Sequence, residues 1–199
     1  MLSRGLCLLI GYLCGNFLTA EAVARARTGR SARDLGTGNP GMANIAGSLG
    51  PKWGAAVLAG DVAKTALACL LCRLVLFPGL GSLAVLYAGM GAALGHDFPA
   101  WKGFRGGKGV AVTCTFTILA SPLWGTASCV LGLAVVLITG YLPLGAAVIP
   151  AAFLFPAFWL YGPEAGALAA LSALLMLSRH IHGLRRVARG EEEKKLRRA

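Results

Sequence analysis

The chain has 199 residues, of which 56% are apolar and only 14% are charged. This composition excludes an ordinary soluble globular protein, because soluble domains carry about 25% charged residues. In a soluble protein the net charge of +11 would suggest nucleic-acid binding. Here the Lys and Arg residues lie between long apolar runs and in the tail, which instead predicts membrane helices with basic loops facing anionic lipid.

Apolar runs bounded by charged residues or by Gly and Pro predict seven membrane-spanning helices. They lie near residues 3–24, 53–77, 79–95, 109–121, 123–139, 143–160 and 164–179. The fourth run is short for a full crossing at about 1.5 Å per residue, so a tilted or re-entrant segment is an alternative there. We predict an all-α, polytopic transmembrane helix bundle in which residues 1–199 form a single domain.

The first apolar run has two interpretations. Arg4, the apolar run and Ala20-Glu21-Ala22 together resemble a cleavable signal peptide. However, Gly11, Gly15 and Asn16 recur within the run, and small residues are typical of a helix that packs against other helices. We therefore predict a retained span.

The basic residues cluster after the first, third and last apolar runs, whereas the turns near 78–79, 121–122 and 161–163 contain no Lys or Arg. With seven crossings, all the basic segments lie on one face, which the positive-inside rule assigns to the cytoplasm. This predicts an external N-terminus and a cytoplasmic C-terminus.

Three charged residues interrupt the second predicted span: Asp61, Lys64 and Arg73. Asp61 and Lys64 are three residues apart, so both lie on one helix face and can pair. Charges inside a membrane helix are costly and therefore indicate function. A buried structural ion pair is the alternative.

The loop between the first two spans, residues 25–52, contains closely spaced glycines. Gly36, Gly38 and Gly41 free the backbone, while Thr37, Asn39 and Asn44 offer neutral hydrogen-bonding groups suited to hydroxyls and phosphate oxygens. A stretch this polar cannot lie unprotected in hydrocarbon. We expect it to fold at the membrane surface or to line a polar cavity.

The loop at residues 95–112 contains Phe104-Arg105-Gly106-Gly107-Lys108-Gly109-Val110. A nucleotide-binding Walker loop is excluded, because position 102 is Lys and position 109 is Gly, where that pattern requires Gly and then Ser or Thr. Consecutive glycines still allow backbone N–H groups to converge on an anion, and Lys108 and Arg105 add positive charge before a helix that begins near Val110. A flexible basic loop facing lipid headgroups is the alternative.

The last span ends in a basic segment that begins Ser178-Arg179-His180 and continues to Arg186, followed by Gly190-Glu191-Glu192. Basic residues at a helix C-terminus are favoured by the helix dipole. An interfacial histidine is commonly part of an amphipathic surface, so this segment alone does not define a site.

No metal or other cofactor is predicted. The six cysteines all lie inside apolar runs, so a disulfide framework is not expected. Cys69 and Cys72 form a C-x-x-C sequence, but no second Cys or His pair lies nearby to complete a zinc site. We interpret these cysteines as small apolar packing residues.

These stretches together resemble one family, the bacterial PlsY-type glycerol-3-phosphate acyltransferases, which are integral membrane enzymes that use acyl phosphate. The resemblance extends over nearly the whole chain, with the motifs in the expected order. The first-loop motif is matched by Gly36, Gly38, Asn39, Gly41 and Asn44, with Thr37 in a serine position. The second is matched by Gly95, His96, Pro99, Phe104, Gly106, Gly107, Lys108, Gly109, Val110 and Ala111, with Arg105 in place of lysine. The third is matched by Arg179, His180, Arg186, Gly190 and Glu192, and a D-x-x-K pattern by Asp61 and Lys64.

The chain departs from the family pattern at four positions. Ala43 replaces threonine, Gly47 stands where an arginine is common, Pro143 replaces serine and Gly183 replaces asparagine. In the family these side chains would supply polar contacts to substrate. The departures imply either a rewired site or weakened activity.

The resemblance implies transfer of a fatty acyl group from acyl phosphate to the 1-hydroxyl of sn-glycerol 3-phosphate, in the bacterial inner membrane and on its cytoplasmic face. The products would be lysophosphatidic acid and phosphate, the first step of phospholipid synthesis. It implies catalytic roles for His180, Lys108 and Lys64. It implies substrate binding by Thr37, Gly38, Asn39, Asn44, Arg105, Gly106, Gly107, Gly109, Arg179 and Glu192. The substrates, membrane lipids and an acyl-phosphate synthase are the candidate partners, and nucleic acid is not.

An acyl phosphate is already activated, so the enzyme needs no Ser or Cys nucleophile. His180 is a candidate general base, although a substrate phosphate could accept the proton instead. The H-x-x-x-x-D pattern of the other large class of glycerophosphate acyltransferases is absent. The alternative function is a catalytically weakened paralogue or a small transporter that binds a phosphorylated lipid or solute.

Overall fold

The computed structural model describes residues 1–194, and the regular structure within this range is helical. Residues 195–199, the end of the basic tail and of the predicted single domain, lie outside it. The α-helices are α1 (Leu2–Gly15), α2 (Thr19–Thr28), α3 (Met42–Leu49), α4 (Pro51–Leu70), α5 (Ser82–Asp97), α6 (Val110–Ala120), α7 (Pro122–Thr139) and α8 (Leu142–Ala188). A π-helical segment, Leu71–Leu76, continues α4.

The predicted all-α, polytopic membrane fold is confirmed. Within the described part of the chain, four helical segments are long and apolar enough to cross a bilayer: Leu2–Thr28, Pro51–Leu76, Pro122–Thr139 and Leu142–Ala188. The shorter α5 and α6 coincide with the predicted third and fourth spans. The chain is therefore a multi-pass membrane protein.

Helix α8 is two helices joined at a break. Its 47 residues would extend about 70 Å if straight, at about 1.5 Å per residue, which is more than twice the hydrocarbon thickness of a bilayer. Gly162 has φ 84° and ψ −178°, outside the helical region, and Pro163 follows it. The break lies between the predicted spans 143–160 and 164–179, as expected.

The first predicted span, 3–24, is interrupted where a continuous helix was expected. Helix α1 ends at Gly15 and α2 begins at Thr19. The Asn16 side chain stabilises the interruption, because its amide donates to Tyr12 O at 2.9 Å and its oxygen accepts the Ala100 N–H at 2.9 Å. The carbonyl groups near the break consequently become available to other parts of the chain.

Helices α1 and α5 pack backbone to backbone. A Cβ added at Gly11 or Gly15 would overlap the backbone of α5, and one added at Gly91 or Gly95 would overlap the backbone of α1. Small residues permit this close approach between membrane helices. Because α5 is buried along most of its length, it is a fixed support for the loop that follows it.

Candidate active site

The glycine-rich loop after α5 folds back onto the end of that helix. The Gly106 N–H donates to Asp97 O at 2.9 Å, and the Gly107 N–H donates to His96 O at 3.0 Å. A Cβ at Gly106 would overlap His96 O, and one at Gly107 would overlap His96 Nε2. The paired glycines are therefore required by close packing against His96.

This geometry changes the expected role of the two glycine amides. We expected the N–H groups of Gly106 and Gly107 to converge on an anion, but both already donate to the end of α5. Gly109 has φ 66° and precedes the first turn of α6, which begins at Val110. Because the first N–H groups of a helix lack intrahelical partners, the start of α6 is the better anion-binding element here.

A buried polar cluster lies under the loop. Lys64 Nζ is 2.8 Å from Asp61 Oδ1 and 3.0 Å from His96 Nδ1. It also donates to the carbonyl oxygens of Phe17, at 2.7 Å, and Gly15, at 3.4 Å, which the break after α1 leaves available. The predicted Asp61–Lys64 pair is thus formed, and it connects α4 to α1 and to the end of α5.

Arg179 attaches the last helix to the same loop. Its guanidinium donates to Gly107 O at 2.9 Å and 3.2 Å and to Gly106 O at 3.4 Å. Arg179 Nε is 3.8 Å from Asp97 Oδ2. Among the described residues, the buried Asp97 Oδ1 has no hydrogen-bond partner; a Cβ at Gly109 would lie 3.0 Å from it. Arg179 thus positions the loop by binding its carbonyl oxygens.

Lys108, His180 and Glu192 lie together beside Arg179. Lys108 is half-buried, and burial lowers the pKa of its ammonium group, whereas the nearby Glu192 carboxylate raises it. His180 is buried, and its Nδ1 lies 3.1 Å from Met176 O. Because a carbonyl can only accept, this contact assigns the Nδ1–H tautomer and leaves the lone pair on Nε2 for proton transfer. Glu192 pairs with Arg186 at 2.5 Å.

The first loop is organised by Asn44 at the start of α3. The Asn44 Oδ1 accepts the Thr37 N–H at 2.7 Å and the Thr37 hydroxyl at 3.1 Å. Its Nδ2 donates to Ala32 O at 3.1 Å and Leu35 O at 3.0 Å. Asn44 is buried and uses its amide within the loop, whereas Thr37 is exposed. The turn in this loop is closed by the Gly38 N–H, which donates to Leu35 O at 2.9 Å, and Asn39 follows it. Arg105 is exposed on the second loop.

Glu21 connects the two loops, a role that the sequence analysis missed. Its buried carboxylate accepts from Lys102 Nζ at 2.6 Å, from Ser31 Oγ at 2.9 Å and from the Ala32 N–H at 3.1 Å. It also pairs with Arg25 at 2.7 Å. Both loops therefore lie at one end of the bundle. A lone carboxylate within the predicted span 3–24 was the available signal, since such a charge requires a partner.

Comparisons with known proteins agree over nearly the whole chain. The family model described as glycerol-3-phosphate acyltransferase matches residues 5–190. A glycerol-3-phosphate acyltransferase 1 of Lactobacillus johnsonii is 36% identical over 170 residues, covering 85% of this chain and 82% of that protein. A glycerol-3-phosphate acyltransferase of Alkaliphilus metalliredigens is 32% identical over 190 residues, covering 95% and 94%.

Solved structures of glycerol 3-phosphate acyltransferases are also similar to this chain. The chain is similar to the glycerol 3-phosphate form of PlsY, an integral membrane glycerol 3-phosphate acyltransferase, with a TM-score of 0.85 and 26% identity. The alignment covers 96% of this chain and 95% of that one. The lysophosphatidic acid form of PlsY has a TM-score of 0.81 and 27% identity, with the same coverage.

Proposed function

Because the chain belongs to the glycerol-3-phosphate acyltransferase family, we propose that it transfers a fatty acyl group from acyl phosphate to the 1-hydroxyl of sn-glycerol 3-phosphate. The products are lysophosphatidic acid and inorganic phosphate. The observation that carries this proposal is the convergence of Lys108, Arg179 and His180 around one glycine-rich loop, at one end of an apolar helix bundle. A lipid substrate can reach such a site from the bilayer, and a water-soluble phosphate can reach it from the surface.

Positioning and charge stabilisation supply the catalysis, since the acyl phosphate is already activated. Lys108 and the N-terminal turn of α6 bind the phosphate of the donor, and Gly106, Gly107 and Gly109 form the wall beside it. Arg105, exposed on the same loop, adds positive charge. Thr37, Gly38 and Asn39 on the first loop bind the glycerol 3-phosphate, with Asn44 holding that loop in shape.

In the transfer step, the 1-hydroxyl oxygen attacks the carbonyl carbon of the acyl phosphate. The bond between that carbon and the phosphate oxygen then breaks, and phosphate leaves with the bonding electrons. The hydroxyl proton passes either to His180 Nε2 or to a phosphate oxygen of the substrate. Lys108 offsets the negative charge that develops on the leaving phosphate.

Lys64, predicted to be catalytic, acts in this proposal as a positioning residue. Its ammonium is buried and is held by Asp61, His96 and two carbonyl oxygens. Through His96 it fixes the surface on which Gly107 packs. Glu192 likewise acts through Arg186 and Lys108 rather than by direct contact with substrate.

We place the protein in the bacterial inner membrane, with its N-terminus outside, its C-terminus in the cytoplasm and its site on the cytoplasmic face. The basic residues of both loops and of the last helix support this orientation by the positive-inside rule. A cytoplasmic site would receive its acyl donor from an acyl-phosphate synthase, the partner we propose. Residues 1–199 act together as one acyltransferase domain.

The proposal is tested with purified protein, palmitoyl phosphate and glycerol 3-phosphate, measuring lysophosphatidic acid. Lys108→Ala should lower kcat by about 10²–10³-fold, as loss of an electrostatic stabiliser does. His180→Ala should lower it by about 10²–10⁴-fold if His180 is the base. The matched control is Lys52→Ala, an exposed lysine at the start of α4, which should retain the wild-type rate. Unchanged rates in both site variants would refute the assignment.

One observation favours the alternative of a weakened enzyme that still binds substrate. Two of the four departures from the family pattern lie against each other, because a Cβ at Gly183 would be 2.7 Å from Pro143 Cγ. An apolar contact thus occupies the place of two polar side chains. Measurable binding of glycerol 3-phosphate by calorimetry, without formation of lysophosphatidic acid, would support this second function.

A further inference from the structure

An apolar groove runs along the bundle between α1, α5 and the second half of α8. Its volume is about 440 Å³, and its lining includes Leu8, Tyr87, Leu94, Glu164, Leu171 and Leu175. Leu171 is 54% exposed, so the groove is open on the lipid side. A hydrophobic chain dissolved in the bilayer can therefore enter it laterally.

The two ends of the groove differ in chemistry. At the inner end, Leu94 lies two residues before His96, and Leu175 lies about one helical turn before Arg179 at the candidate active site. At the outer end, the Tyr87 hydroxyl donates to Glu164 Oε1 at 2.7 Å, and Arg4 Nη2 donates to Glu164 Oε2 at 2.9 Å. From Glu164 to Leu175 the helix rises by about 16 Å, at about 1.5 Å per residue.

The polar group Arg4–Tyr87–Glu164 separates this groove from a second cavity. That cavity, of about 490 Å³, is lined by Met1, Arg4, Tyr87 and Glu164. An apolar chain that extended past the groove would have to separate the Tyr87 hydroxyl from Glu164 and would place its methylene groups against a charged pair whose side chains are 31% and 36% exposed. The space beyond the group is present, but the charges obstruct the way to it.

We propose that this groove holds the acyl chain of the donor and that Arg4, Tyr87 and Glu164 set the upper limit of its length. The inference rests on the proposed function, since it places the chain of that reaction. Lipid tails are as apolar as the groove, so burial there has little hydrophobic driving force. Selectivity between acyl donors must therefore come from the space in the groove and from its polar end. Both of these discriminate donors by the length of the acyl chain.

The first test fills the groove and compares two donors, palmitoyl phosphate and the shorter decanoyl phosphate. In Leu171→Trp and in Ala167→Phe, the ratio of kcat/KM for the long donor to that for the short donor should fall at least about tenfold, the discrimination that hydrophobic pockets reach for one methylene group. The matched control is Leu174→Trp on the same helix, which is 62% exposed and outside the groove lining. Its ratio should equal that of the wild type.

The second test removes the outer limit. The variant Arg4→Met/Tyr87→Phe/Glu164→Met joins the groove to the second cavity, so the ratio of kcat/KM for stearoyl phosphate to that for palmitoyl phosphate should rise at least about tenfold. Both kcat/KM values in each ratio are measured on the same protein preparation, so differences between variants in the amount of folded protein cancel.

The outcomes separate the two proposals. If the wild type forms no lysophosphatidic acid from any donor, the proposed acyltransferase function fails. If the wild type is active but both groove-filling variants keep its donor ratio, or lose activity equally with both donors, the acyl chain of the donor lies outside this groove. That result overturns the inference.

Discussion

Gly107 is required for the packing of the glycine-rich loop rather than for direct contact with substrate. A Cβ at this position would overlap His96 Nε2. The imidazole ring is held in place by the contact between its Nδ1 and Lys64 Nζ. We expect Gly107→Ala to destabilise the fold by about 1–3 kcal/mol, as overpacking does, and to displace the loop that carries Lys108.

The prediction is checked by thermal unfolding in detergent together with the rate of lysophosphatidic acid formation. Gly47→Ala is the matched control, because nothing lies within 4 Å of a Cβ there and its φ is not positive. It should be neutral or slightly stabilising. Equal melting temperatures for the two variants would contradict the proposed packing role of Gly107.

We expect kcat/KM to depend on pH through the ionisation of Lys108. Burial lowers the pKa of its ammonium below the usual value, so the cation is lost at lower pH than in an exposed lysine. If the cation binds phosphate, kcat/KM falls as pH rises through this lowered pKa. The nearby Glu192 carboxylate raises the pKa, so Glu192→Gln should move the alkaline limb to lower pH.

The measurement is kcat/KM against pH, corrected for spontaneous hydrolysis of the acyl phosphate. Glu191→Gln changes the neighbouring exposed carboxylate and should leave the limb in place. In Lys108→Arg the limb should move to higher pH or disappear, because guanidinium stays charged. A limb at the same pH in the wild type and in Lys108→Arg would show that another group titrates.

At the scale of elements, Glu21 joins the two loops through Lys102 on one side and Ser31 and Ala32 on the other. We expect Glu21→Gln to destabilise the protein by about 1–3 kcal/mol, because buried donors lose a charged acceptor. Because the first loop would no longer be fixed relative to the second, the KM for glycerol 3-phosphate should also rise. Thermal unfolding and steady-state kinetics test the two effects, with Glu191→Gln as the control. A variant with wild-type stability and KM would exclude this linking role.

The break in α8 depends on the backbone of Gly162. Its φ of 84° disfavours any residue with a Cβ, although nothing lies within 4 Å of a Cβ built there. Gly162→Ala should therefore cost about 1–3 kcal/mol through backbone strain alone. Gly79→Ala, in another turn between helices, has an equally open position without a positive φ and should be neutral in the same unfolding assay.

At the scale of the whole molecule, the orientation in the membrane can be tested by labelling. We expect a membrane-impermeant maleimide to label Gly79→Cys in right-side-out spheroplasts and Gly47→Cys only in inverted vesicles. Both positions leave open space around an added side chain, and the unsubstituted protein controls for its six native cysteines. Labelling of both positions from the same side would contradict the seven-crossing topology.

Local patterns of apolar and charged residues were sufficient to predict the class of protein and the location of its helices. A bilayer requires long apolar segments with satisfied backbone groups, so the predicted spans at 123–139 and 143–160 agree closely with the structure. The break at Gly162 was also predictable, because Gly-Pro punctuation between two apolar runs is a local signal. The glycine motif around Lys108 is also a local signal, and its phosphate-binding role stays a prediction.

The contacts between these parts could not be predicted from local patterns. The interruption after Gly15 depends on Asn16 binding Ala100, a contact between residues far apart in the chain. In the same way, the contact of His96 with Gly107 changed the assignment of the glycine amides from anion binding to packing. The charges of Glu21 and of the Arg4–Glu164 pair are likewise explained by ion pairs between residues that are far apart in the chain. Apolar periodicity is a local property of the chain, whereas the pairing of charged side chains depends on which helices lie next to each other.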